Sequence, residues 1–139
     1  MEAVSITVRY LLRVPAEGAM HNHSIPEPQW KSVFDSLSRI YDGTPSSLEI
    51  LAGDVGAQYE VENQPFRGVD YDRTGIELHF ATRDGSELVH RIAHAKDVQI
   101  EETDSGLIAA MQIASDDDPV AVVRFQAPKP SHLLPRAAE

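Results

Sequence analysis

The sequence predicts an α+β fold: one N-terminal amphipathic helix followed by a six- to seven-stranded antiparallel β-meander, either an open sheet or a small barrel. Two observations carry this. Trp30, Val33, Phe34, Leu37, Ile40 and Tyr41 fall at i, i+3, i+4, i+7, i+10 and i+11, a continuous apolar stripe at helical period. After Gly43 the period falls from 3.6 to 2, and short apolar runs alternate with turn residues.

The helix comes first. Lys31, Ser32, Asp35, Ser38 and Arg39 occupy its polar faces. Pro28 suits the first turn, where a missing N–H costs nothing, and Gly43 suits a left-handed stop. Strands are expected near Ser47–Leu51, Ala57–Val61, Gly75–Thr82, Leu88–Ala93, Val98–Glu102, Leu107–Ala114 and Val120–Gln126. Between them stand Gly53-Asp54, Asn63-Gln64-Pro65, Asp84-Gly85, Asp104-Ser105-Gly106 and Asp116-Asp117-Asp118-Pro119. One hairpin can be taken to its register. A two-residue turn at Asp84-Gly85 would mix charge into both faces. A three-residue loop, Arg83-Asp84-Gly85 with Gly85 left-handed in a bulge, instead pairs Phe80 with Leu88, Leu78 with His90, Ile76 with Ile92 and Glu77 with Arg91. One face is then almost wholly apolar, and the other holds an opposite-charge pair.

The 139 residues suffice for one core and divide poorly into two. Residues 25–127 are expected to form the single domain, 1–24 an extension and linker, and 128–139 a disordered tail. Val4–Tyr10 alternates apolar and polar residues well enough to add to a sheet edge. Met20 stands just ahead of the helix region, so 1–19 are expected to be dispensable.

Composition narrows function. Cysteine is absent, which excludes a disulfide framework, a thiolate metal site and a cysteine nucleophile, and fits a reducing cytoplasm. The N-terminal residues are broken by Glu2, Arg9 and Arg13, and no apolar run approaches membrane-spanning length, so no membrane partner is expected. Twenty-two acidic against twelve basic residues give a formal charge of −10. The cations are spread singly among the acids, which argues against nucleic acid as a partner.

Candidate chemistry fares poorly against ordinary structural explanations. The six histidines are His21, His23, His79, His90, His94 and His132. In the bulged register His79 and His90 point to opposite faces, and His90 and His94 lie about 13 Å apart along a strand. No histidine metal site is expected. Asp70, Asp72, Thr74 and Gly75 match half a calcium loop, but Ala81 stands where a bidentate glutamate is needed. Ser38, Ser86 and Ser105 lack a glycine-flanked elbow, and the glycines form no phosphate cradle. Glu60/Glu62 and Glu101/Glu102 are adequately explained as solvated faces. No catalytic, cofactor-binding or metal residue is assigned, and no cofactor is expected.

The helix and the segments after it resemble a family of small, acidic bacterial proteins catalogued only as a domain of unknown function. The likeness rests on Ile25-Pro26, Trp30, Val33-Phe34-Asp35 and Ser38-Arg39. It continues through Asp54-Val55-Gly56-Ala57-Gln58, the run Pro65 to Asp72, His90-Arg91-Ile92 with Val98, and Val123-Arg124-Phe125. The resemblance implies a compact domain in a bacterial cytosol and carries no catalytic residues. The expected function is a non-catalytic protein-interaction or regulatory module, its partner surface including Asp35, Ser38, Arg39, Arg67, Asp70 and Asp72. The alternatives are a ligand-binding barrel or enzyme using its interior, and an acidic inhibitor that mimics nucleic acid.

Overall fold

A computed structural model describes residues 20–52 and 56–135. The expectations for 1–19 and for the Gly53-Asp54 turn lie outside those residues. Among the described residues one α-helix, α1 (Trp30–Tyr41), follows a short 3-10 turn at Glu27–Gln29. Around it run β1 (Met20–Ser24), β2 (Pro45–Ala52), β3 (Gly56–Asp72), β4 (Gly75–Ala81), β5 (Glu87–Ala93), β6 (Ala95–Thr103), β7 (Leu107–Ser115) and β8 (Val120–Pro130). All pairings are antiparallel, in one eight-stranded sheet ordered β1-β6-β7-β8-β2-β3-β4-β5. The α+β class is as the sequence predicts, with the sheet open and not closed into a barrel. Two meanders, β2–β5 and β6–β8, lie side by side because β8 pairs with β2. His94, in left-handed conformation (φ 53°), is the sole residue between β5 and β6, which belong to opposite ends of that order.

The stripe of α1 buries Trp30, Val33, Phe34, Leu37 and Tyr41 against inward residues of both meanders, among them Leu48, Phe66, Ile76, Phe80, Ile100, Met111 and Val123. Aromatic contacts fill the interior. Tyr41 stacks on Phe125 at 3.8 Å between centroids, while Phe66 meets Phe80 and Phe125 edge-on at 5.8 and 5.4 Å. Trp30 Nε1 donates to the Ile25 carbonyl (2.7 Å), and the Trp30 ring meets Tyr71 edge-on. The Tyr41 hydroxyl donates to the Ile108 carbonyl (3.0 Å) and accepts from the Lys129 N–H (2.9 Å), joining the helix to β7 and β8. Its burial pushes the phenol pKa up to about 12.

The β4–β5 register is the bulged one: Phe80 faces Leu88, Leu78 faces His90, Ile76 faces Ile92 and Glu77 faces Arg91. Gly85 adopts φ 88°, the left-handed turn residue. The Asp84 carboxylate accepts from the Thr82 hydroxyl (2.6 Å) and the Ser86 N–H (3.0 Å), which holds its pKa down at about 2.

Three segments differ from expectation. Part of the stretch read as linker is β1, whose Met20–Ser24 pairs with β6 from Thr103 back to Gln99. Its sequence, MHNHS, shows no apolar alternation because an exposed edge strand is held by backbone bonds and needs no buried face. Asn63-Gln64-Pro65 is not a hairpin turn. It lies within the 17-residue β3, which pairs with β2 through Pro65 and with β4 from Phe66 onward. Asn63 (φ 57°) lies in the register shift between the Ser46–Gln64 and Leu48–Val61 pairs, just before the strand changes partner, and proline is tolerated beside such an irregularity. Arg67–Asp72, which falls between the expected strands, is therefore strand. Residues 128–130, assigned to the tail, complete β8, and Leu134 packs on the core. Prolines at 128 and 130 bracket Lys129, whose N–H is the one used by Tyr41.

Candidate functional site

A bulge in β3 makes a cleft between that strand, α1 and the tip of the β4–β5 hairpin. The register slips between Phe66 and Gly68. Ser38 on α1 reaches across to β3, where its Oγ accepts from the Val69 N–H (3.0 Å) and donates to the Val69 carbonyl (3.3 Å). That approach explains Gly68, since a Cβ there would lie 3.2 Å from Ser38 Oγ. The resulting cleft encloses about 490 Å³, with Ser38, Arg67, Asp70, His79, Ser86 and Glu87 on its walls. Gly68, Ala81 and Gly85 add little side-chain bulk, which leaves the space open.

Its electrostatics centre on His79. Nδ1 lies 2.9 Å from Glu87 Oε2, while Nε2 lies 3.0 Å from Asp70 Oδ2 and 3.7 Å from Glu77 Oε1. Nε2 is shielded from solvent yet has no hydrogen-bond partner, so the Asp70 oxygen is close without being aligned with the ring nitrogen. Asp70 and Glu77 are directly opposite in the β3–β4 ladder, a like-charge pairing that is unfavourable on its own. Arg91 compensates at the far oxygen of Glu77, with Nη1 at 3.1 Å from Oε2.

Of the six residues expected at a partner surface, Ser38, Arg67 and Asp70 share this cleft. Arg67 is held 3.1 Å from Asp42 at the end of α1. Asp35 and Arg39 sit on the exposed face of α1, Asp35 in an ion pair with Lys31 (3.7 Å) and Arg39 reaching back to the Asp35 carbonyl and Ser36 Oγ. Asp72 stands apart. Its Oδ1 accepts from the Thr74 hydroxyl (2.7 Å) and the N–H groups of Thr74 (2.8 Å) and Gly75 (3.2 Å), which lowers its pKa. The half-match to a calcium loop is thus an acidic turn closing the β3–β4 hairpin.

His79 and His90 do face opposite sides, and His90 finds its partner in Glu60 (2.7 Å). The convergence that the sequence reading missed is between His79 and carboxylates. Among the described residues, Asp70, Glu77 and His79 bring one ligand atom each to within 4.8 Å of one another. Glu77 and His79 were legible as neighbours on one face of β4. Asp70 was not, because its segment falls outside the expected strands, which hid its place opposite Glu77.

Fold and site together define a small α+β protein in which one helix covers an open antiparallel sheet and leaves a charged cleft at a strand bulge. The chain belongs to the family of unknown function DUF5335, whose profile matches residues 21–133. It is 30% identical over 116 residues to an uncharacterized protein of Aquifex aeolicus (strain VF5), covering 84% of this chain and 99% of that protein. No solved structure matches the chain. Among the described residues, no helix is long and apolar enough to cross a membrane.

Proposed function

We propose that this chain is a non-catalytic protein-interaction or regulatory module of the bacterial cytoplasm, and that the cleft beside the β3 bulge receives its partner. The supporting observation is the cleft itself, a concave site lined by both signs of charge, Arg67 with Asp70 and Glu87. It adjoins β5, which is an edge of the sheet and carries the exposed Val89 directly across from His79. Unpaired edge backbone, an apolar side chain and charges that fix orientation suit a protein segment docking along β5. The alternatives have less support. The interior holds packed aromatic rings where a ligand-binding barrel would need space. Acids interleaved with cations, as in Lys31–Asp35, Arg67–Asp42, Arg91–Glu77 and Lys96–Asp116, do not imitate a phosphate backbone.

Capture from an extract of the source organism tests this with the full chain as bait. Wild type and a Lys96→Glu control, altered away from the cleft, should retain the same protein, and Arg67→Glu and Asp70→Arg should lose it. Retention of that protein by all four baits would overturn the assignment of the cleft.

A further inference from the structure

We propose that Asp70, Glu77 and His79 form a binding site for one borderline divalent transition-metal ion, of which Zn²⁺ is the representative, with Glu87 orienting the imidazole. The inference deepens the reading of the cleft as a binding site and rests on it only for biological purpose. The geometry of the donors carries it. Zinc holds imidazole nitrogen and carboxylate oxygen at about 2.0–2.2 Å, so two such donors in tetrahedral arrangement stand about 3.4 Å apart. The observed separations from Nε2, 3.0 Å to Asp70 and 3.7 Å to Glu77, straddle that value.

Alignment separates a metal from a hydrogen bond. An oxygen accepting a proton from Nε2 lies along the ring's N–H direction, whereas an oxygen sharing a metal with Nε2 lies well off it. The Asp70 carboxylate is within 3.0 Å of Nε2 but outside hydrogen-bond geometry, and the nitrogen is shielded from water. The other ring nitrogen meets the Glu87 carboxylate at 2.9 Å. A proton on Nδ1 donated to Glu87 leaves the Nε2 lone pair facing the two ligand carboxylates, the carboxylate–histidine–metal arrangement that sets tautomer and orientation. Without an ion that lone pair confronts negative charge.

The ladder gives an independent reason. Asp70 and Glu77 face each other across β3 and β4 although like charges there are unfavourable, and Arg91 engages only the outer oxygen of Glu77. A dication between the inner oxygens removes that conflict. The single imidazole among oxygen donors favours zinc, nickel or cobalt over magnesium and calcium. With three protein ligands, a fourth position stays open to water or to a side chain of the docked partner.

The test is calorimetric titration of the full-length protein, first freed of metal, with Zn²⁺ in a non-chelating buffer. One equivalent should bind saturably, and excess Mg²⁺ should not displace it. Asp70→Asn, at an exposed position, should weaken binding at least tenfold, and His79→Gln should do the same. Glu87→Gln should weaken it by about 10–100-fold, as for other carboxylates that orient a liganding histidine. His94→Gln, removing the exposed His94–Asp117 pair, is the control and should bind as wild type does. Absence of saturable binding, or binding unaffected by Asp70→Asn and His79→Gln, overturns the site; so does loss on His94→Gln alone. The titration needs no partner, so its failure would leave the capture result standing, and the reverse also holds.

Discussion

Replacing Tyr41 by Phe isolates what one hydroxyl does for the joint between the helix and the far end of the sheet. The ring stays, so its stack on Phe125 at 3.8 Å is retained and no cavity forms. What goes is the donor to the Ile108 carbonyl and the acceptor for the Lys129 N–H, at 3.0 and 2.9 Å. An orphaned buried group such as the Ile108 carbonyl costs ~1–3 kcal/mol and the half-buried Lys129 N–H less, part of it offset because the hydroxyl itself no longer needs desolvating, which gives a net loss of ~1–3 kcal/mol. With a urea slope of ~1–3 kcal/mol per molar, the denaturation midpoint should fall by about 1 M with the slope unchanged.

The pH dependence supplies a second signature of the same hydroxyl. Folding raises this phenol from 10.0 to about 12, so its contribution is complete below pH 10 and is lost as pH rises from 10 to 12. The Phe variant should lack that alkaline decline. An unchanged midpoint together with an unchanged alkaline profile would show that β8 does not depend on this joint, and would refute its assignment as part of the fold.

Other outcomes follow from the same contacts. Trp30→Ala, at a residue 2% exposed that also loses its bond to the Ile25 carbonyl, should destabilise by ~3–5 kcal/mol, read as a denaturation midpoint. Asp84→Ala should flatten the acid limb of the stability profile. The depressed pKa of about 2 means that Asp84 stabilises above the ordinary carboxylate range and loses that contribution as pH falls toward 2, so thermal melts from pH 5 to 2 would detect the change. Gly68→Ala should crowd Ser38 Oγ at 3.2 Å and disturb its paired bonds to Val69, seen as faster amide exchange at Val69.

The sequence revealed most where periodicity and side-chain chemistry agreed. The α1 stripe is buried as its spacing implies, and the loop at Asp84-Gly85 dictates the β4–β5 register, because the bulged pairing segregates apolar from charged residues and the two-residue turn does not. It revealed least where backbone bonds alone decide. The polar β1 has no face to bury, and β3 continues through Asn63-Gln64-Pro65 because each half finds a different neighbour, a long-range pairing that no local residue announces. Misreading that segment also concealed the cleft. Ser38, Arg67 and Asp70 were named from their surface chemistry, but His79 and Glu87 join them only once Arg67–Asp72 is a strand beside β4.

Hydrogen–deuterium exchange of the full chain, free and bound to the protein captured by it, tests the assignment of the cleft most directly. Protection should appear along β5 and across residues 67–70 and 79–87, the strand edge and the walls of the cleft. Protection confined to the exposed side of α1 around Asp35 and Arg39, or to the β1 edge, would contradict it.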